Sequence, residues 1–494
     1  MAAANQFSWV NYTSESVVKK DEDDISIIKS HGMRLAHRRR RDIGTATQPK
    51  KPRSAPKKTR ANPLRNGTEL QVRGPPTPDW HEAAIADFLA DFAYPEQSSP
   101  VTAFQYLSFL PALYTKDKPR SALTEAVLAV SLARFSNKTQ VGSPELAAQL
   151  TRRARVAYAD ALCLVNKCMP VAEARRSDDL LTALCLLAKF EMVVGESGGG
   201  LMTFHEKGQA ALVNERGSEI IRTEVGAGLF RLVYVRHLLA CLAAGERPEI
   251  RIDPATTERV FVEQHARILI GLVGKTADLR FELMKALDQT QSATDQQILR
   301  RLATQMHDVE ANVGLLEFSL PDDVKYKSVR SKEPAPSTTR VVNGVPAYAP
   351  AWLNIFKDLQ HASFWHVLFN IRLRILQMQS ACIEAHRSSS GAYTIQSIHQ
   401  LERLKSRQLA IVDQICASIP IMPGEQVESS CKEAWLSTQK GGAVAAHYMV
   451  WLLNAALTVP GVPSDQKAWL TDRLLFIGHH HGIREALLLA ASAT

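Results

Sequence analysis

Cysteine is absent from the first 162 residues of this chain. The seven that follow (Cys163, Cys168, Cys185, Cys241, Cys382, Cys416 and Cys431) include no C-x-x-C pair. Disulfide frameworks and structural zinc sites both need clustered ligands, so this scatter predicts reduced, mostly buried thiols of an intracellular protein and no bound metal. Convincing alternation of apolar and polar residues is missing too, which argues against a sheet-based body. Catalytic signatures are also scarce. There is no G-x-S-x-G elbow. Gly195 to Gly200, GESGGG, lacks the Lys and Ser/Thr of a phosphate-binding loop and follows a helical pattern instead of a strand. His81-Glu82 and His205-Glu206 lack the second histidine of a zinc-protease helix. His479-His480-His481 are neighbours on a helical pattern, where adjacent side chains diverge by about 100° and cannot share one small ion. Together these absences predict a protein that is not an enzyme and carries no cofactor.

Long uncharged runs are rare as well. Gly441 to Ser464 contains no charged side chain and is long enough to cross a bilayer. His447, Asn454, Pro460 and the missing basic anchor on its C-terminal side make a buried core helix the better expectation. The N-terminus has no basic stretch followed by an apolar run, so no secretory signal is read there.

What is present is charge, and it is concentrated. Lys29 to Arg60 holds twelve cations against the single anion Asp42, a net +11 in a chain whose total is +9. Residues 1–28 are net −3, and the body from 81 onward is close to neutral at +1. A concentrated charge beside a neutral body marks an address tag or a polyanion-binding arm. Ile25, Ile28, Gly32 and Leu35 share one face at helical spacing, with Lys29, Arg34, Arg38 and Arg41 turned away from it. This predicts a short basic helix at about 24–41. Seven prolines between Pro49 and Pro78 then remove amide donors and disfavour helix before each of them, so the rest of 1–79 is expected to be a largely disordered arm.

From Trp80 onward almost every long segment has helical periodicity. Clear candidates are 81–92, 121–135, 144–165, 177–194 and 228–244, with further series over 255–318 and from Trp352 to the end. Residues 319–350 are read as the long irregular loop of the body. The expectation for 80–494 is an all-α domain, packed as an orthogonal bundle or an α-solenoid-like array.

Within that body, Asp178 to Gly217 (DDLLTALCLLAKFEMVVGESGGGLMTFHEKGQAALVNERG) has an acidic-Leu start and a helix ending at a glycine loop. His205, Gly208 and Ala210 then form H-x-x-G-x-A, and Leu212, Arg216 and Gly217 follow. This order resembles the middle of the fungal-specific transcription factor domain. Gly228 to Phe230 and Arg236 fit the same pattern, while the family's usual tryptophan before the histidine is absent. Ser121 to Phe135 looks like an early helix of that domain, and 442–492 like its last helices. The phrase from Lys29 to Met33, KSHGM, followed by RRRR at 38–41, resembles the opening of a subgroup of these proteins. The likeness extends over most of 24–492. It implies a helical regulatory domain, a nuclear location and a role in transcription regulation. Many relatives carry a zinc binuclear cluster built from six cysteines; with no cysteine before Cys163, that DNA-reading module does not exist here.

The basic segment has three readings. Arg38, Arg39, Arg40 and Arg41, then Lys50, Lys51 and Arg53, then Lys57, Lys58 and Arg60 form short clusters of the kind a nuclear import receptor takes. The same cations suit non-specific contact with DNA phosphates, weakened steeply by salt. The third reading is a solvated tail with no partner. Membrane-surface binding ranks lower because the apolar face of the helix is short and lacks aromatics. The leading expectation is a nuclear transcriptional regulator whose arm gives import and DNA affinity. Its body would bind a partner protein, a second copy of itself or a small effector. The alternative is a helical cofactor or scaffold that does not touch DNA and is recruited by a DNA-binding partner protein.

Overall fold

The computed structural model describes residues 80–93, 106–114, 119–140, 142–195, 204–288, 293–330, 348, 350–390, 395–419 and 442–493. The expected basic helix at about 24–41, the Pro-rich linker and every cation from Lys29 to Arg60 lie outside them. Contacts gather Pro78–Thr494 into one compact unit.

The unit is all-α, as expected. The N-terminal helices are α1 (Trp80–Phe92), α2 (Leu110–Leu113), α3 (Ala122–Thr139), α4 (Pro144–Cys168), α5 (Ala172–Arg175), α6 (Asp178–Val194), α7 (Phe204–Arg216) and α8 (Glu224–Ala244). The chain continues through α9 (Pro254–Val260), α10 (Gln264–Asp288), α11 (Ala293–Ser319), α12 (Leu359–Ser390), α13 (Ile395–Ser418), α14 (Gly442–Leu457), α15 (Ser464–His480) and α16 (Arg484–Ala493). Local chemistry sets their ends. Ser121 and Thr124 form a reciprocal capping box at the start of α3, and Ser177 Oγ accepts from the Asp179 and Leu180 amides at the start of α6. Each cap satisfies amides that have no partner inside the helix. Helix α6 stops at Gly195, whose φ of 66° is left-handed and costs a side-chain-bearing residue about 1–2 kcal/mol.

Helix α6 is the centre of the fold. It is apolar nearly all round, with every residue from Leu180 to Phe190 buried, as expected of a helix covered on all sides. Helices α3, α4, α7, α8 and α16 cover it. Helix α8 is long and apolar enough to cross a membrane by length and composition, with a mean hydropathy of 1.5 over its most apolar window, yet 61% of that window is buried inside the body. The uncharged run from Gly441 becomes α14, 16 residues long. Its Val444, Met449, Val450 and Leu453 are buried, and it touches α1, α12, α13, α15 and α16.

The first and last helices of the described body meet. Helix α14 packs on α1, α15 on α3, and α16 on α6. An open solenoid confines each repeat to its sequence neighbours, so these returns make the body a closed bundle. Arg134 on α3 clamps the closure. It is 1% exposed, pairs with Asp87 and Asp91 of α1, and donates from Nε to the His481 carbonyl at 3.1 Å. Asn137, one turn later, donates to the Val193 and Gly482 carbonyls at 2.8 and 2.9 Å.

The segment 319–350 differs from the expected irregular loop. Lys327–Arg330 forms strand β1 and pairs antiparallel with β2, Trp352–Ile355, placing Lys327 opposite Ile355 and Arg330 opposite Trp352. Strands of four residues are too short for alternation to register. What holds them is tertiary. Trp365 Nε1 donates to the Val324 carbonyl at 2.9 Å, and Ser328 Oγ bonds to Asn354 Oδ1 at 2.8 Å. Residues 331–347 and 349 lie outside the described residues.

Candidate functional site

The four family-like positions His205, Gly208, Arg216 and Gly217 all fall on α7 or at its end. They knit the α6–α7 hairpin together. At the open end Arg216 pairs with Asp178, the first residue of α6, at 2.6 Å. Beside that pair, Arg175 holds Glu215 at 2.9 Å. Gly217 follows with a φ of 52°, turning the chain from α7 into a 3-10 stretch, Gly217–Arg222. At the loop end the Tyr158 hydroxyl on α4 donates to Glu191 Oε1 at 2.8 Å. His205 Nε2 lies 3.2 Å from both groups. Gly208 is buried within the same hairpin. These contacts tie α6 and α7 to each other and to α4.

Sequence reasoning missed the buried polar cluster beneath them. Glu206 on α7 is 5% exposed and meets Arg236 of α8 at 2.8 Å. Next to this pair stand Cys185 and Lys189 of α6 and His447 and Tyr448 of α14. Burial pushes the Cys185 thiol up to about 12, with Arg236 and Lys189 pulling weakly the other way, so it is not a thiolate at neutral pH. Burial, then the Arg236 charge, holds the Lys189 ammonium well below its usual range. His447 is likewise held well below 6.5, by burial and then by Lys189 and Arg236. Among the described residues the face of Phe92 lies 4.6 Å from Lys189 Nζ, a contact worth about 2 kcal/mol when desolvated. The signal was there to read: Lys189 is the one cation in the apolar run LLTALCLLAKFEMVV.

A lysine buried without a carboxylate is a cost, which gives a direct test. Lys189→Met keeps the volume and removes the charge problem, so it is expected to stabilise the protein by about 1–4 kcal/mol at pH 7. Unfolded lysine binds its proton up to about 10.4 while the folded amine releases it earlier, so wild-type stability rises with pH across that window. The gap between the two chains should therefore narrow toward pH 10 in urea titrations. A Met variant less stable than wild type at pH 7 would show that the ammonium stabilises the core.

Among the surface clefts are two between helices. The first, about 360 Å³, lies between α8 and α10 and is lined by Tyr234, Leu238, Arg247, Arg251, Gly274 and Asp278 among others. The second, about 410 Å³, lies between α1 and α4 against Trp80, His81, Leu150, Arg152 and Arg153. Neither contains Cys185, Lys189 or His447. Among the described residues no three His, Cys, Asp or Glu side chains converge as a metal site. The three consecutive histidines sit at the end of α15: His480 stacks on Phe476 with centroids 4.8 Å apart, and His481 caps the helix. The predicted arm residues (Arg38, Arg39, Arg40, Arg41, Lys50, Lys51, Arg53, Lys57, Lys58 and Arg60) lie outside the described residues. No family model, no curated protein and no solved structure matches this chain.

Proposed function

We propose that this protein is a nuclear transcriptional regulator that lacks a zinc cluster. The observation that carries the reading is the net charge of +11 packed into Lys29–Arg60, in a cysteine-free arm attached to a near-neutral body. The all-α body and the order of the family-like positions from Asp178 to Gly217 support it. In this reading the arm engages an import receptor and adds non-specific affinity for DNA phosphates. The body takes a partner protein, a second copy or a small effector. No catalytic step belongs to it in this reading.

Deleting residues 29–60 is expected to abolish nuclear accumulation of the tagged protein while leaving its amount unchanged; an unaltered nuclear signal would remove the arm's role. The missing six-cysteine module favours a second reading, in which the chain is a cofactor recruited by a separate DNA-binding protein. Gel-shift titration of the purified chain in rising salt separates the two. Binding that weakens with salt at a slope of about 0.9 per phosphate contact supports the arm's DNA affinity, sequence-selective binding that survives near physiological salt supports a DNA reader, and no binding even at low salt supports the cofactor.

A further inference from the structure

The chain between α8 and α9, residues 245–253, has no regular secondary structure, yet it is fastened to the helices on both sides. Asn214 at the end of α7 accepts from the Arg251 amide and donates to the Glu249 carbonyl, both at 3.0 Å. The buried His237 on α8 accepts from the Glu249 amide at 2.9 Å. Ile250, between these anchors, is buried as well. A segment pinned in this way loses its conformational freedom on folding, before any ligand arrives.

This segment holds Arg247 and Arg251 against the cleft of about 360 Å³ whose other walls include Tyr234 and Leu238 of α8 and Gly274 and Asp278 of α10. Neither guanidinium forms a hydrogen bond or an ion pair among the described residues. Two cations against one carboxylate leave the cleft net positive, which draws anions. Burial raises Asp278, and the Arg247 charge pulls it partly back. The Tyr234 ring is fixed as a wall, stacked on Phe230 with centroids 5.4 Å apart and set against Phe261 at 6.3 Å.

Gly274 is an independent sign that the space is kept open. It stands in the middle of α10, where glycine weakens a helix. Packing does not demand it. An added Cβ would meet nothing nearer than Leu238 at 3.8 Å, an ordinary contact with another wall of the cleft.

We propose that this cleft binds a small hydroxyl-bearing oxyanion, a phosphorylated or carboxylated polyol. Arg247 and Arg251 take the phosphate or carboxylate through paired N–H···O bonds. Asp278 accepts from a ligand hydroxyl, while the Tyr234 face and Leu238 cover the carbon skeleton. The volume lies near the lower end of the range for ligand clefts, about 300–1,000 Å³, which suits a metabolite. The site uses only side chains of the helical body, so it stands or falls separately from the nuclear reading.

Calorimetric titration of the purified full chain at constant ionic strength tests the site. Glycerol phosphate serves as the phosphate arm and citrate as the carboxylate arm, with glycerol, inorganic phosphate and acetate as controls. Saturable heat at about 1 mM or tighter is expected with one of the two arms, and the arm that binds identifies the group recognised. Each control offers only part of the contacts and should bind at least tenfold more weakly. Arg251→Met should weaken binding at least tenfold. Gly274→Met, which fills the cleft, should remove binding while melting no lower than wild type, because methionine is the better helix former. Arg251 is exposed, so its variant decides alone if the Gly274 variant does not fold. No saturable heat with either arm overturns the site. So does heat that survives either folded variant unchanged, or that inorganic phosphate or acetate matches.

Discussion

Replacing Arg134 by methionine is expected to lower the stability of the body by about 3 kcal/mol or more, the cost of breaking a buried charge network from one side. The guanidinium is 1% exposed and ties together pieces far apart in sequence: Asp87 and Asp91 on α1 and the His481 carbonyl after α15. Methionine matches its bulk and still packs over Phe92, whose centroid lies 5.4 Å from the guanidinium carbon. The loss is therefore electrostatic and not a cavity. The two carboxylates are about a quarter exposed and regain some water, and Lys138 still holds Asp87 at 2.7 Å, which keeps the cost near the lower end of the range. Arg134→Lys retains the charge but cannot fork to both carboxylates, so it should fall between the two. Urea unfolding checks the order. A Met variant within 1 kcal/mol of wild type would mean that the closure does not depend on this clamp.

Acid should be the second large perturbation. Burial lowers His237 and His366 to about 4 and His481 to about 3, and holds His447 well below 6.5. His237 uses its neutral Nε2 as an acceptor for the Glu249 amide at 2.9 Å and the Ile250 amide at 3.4 Å. Protonation would set a donor against donors. In the unfolded chain each imidazole takes its proton near 6.5. The stabilisation is therefore fully present above about 6.5 and is lost as pH falls toward 4, at up to roughly 1.4 kcal/mol per pH unit for each histidine. Asp278 and Glu317, both raised by burial, act in the opposite sense but only near the carboxylate range. Denaturant midpoints should drop steeply between pH 7 and pH 5, and His237→Gln, which keeps an acceptor, should flatten part of that slope. Equal midpoints at the two pH values would contradict the neutral histidines.

Helix positions were legible from the sequence because caps and periodicity are local. Periodicity placed 121–135 and 177–194 close to α3 and α6, and the glycine after Val194 marked the end of α6. The strands were not legible. Lys327–Arg330 and Trp352–Ile355 are too short to carry a pattern, and each depends on a partner more than twenty residues away. Closure of the bundle was invisible for the same reason: Arg134 sits in the plain helical phrase SLARFSNK, and nothing nearby names Asp87 or His481. Of the candidate site, His205 and Arg216 were found as a motif, but their partners Glu191, Tyr158 and Asp178 come from three other turns of helix. Lys189 becomes unusual only once its burial is known, because on an exposed helix face the same residue would be ordinary.

The return of α16 onto α6 also bears on how the chain is made. Helix α6 is synthesised some three hundred residues before Arg484–Ala493, the helix that covers one of its sides. Until that last helix leaves the ribosome, an apolar surface at the heart of the body has no cover. The nascent chain carries this surface uncovered for some three hundred residues of synthesis, and at about 5–20 residues per second that interval lasts tens of seconds. A premature stop anywhere after α6 would leave the surface permanently bare, so shortened products should be cleared or aggregate instead of persisting as working fragments.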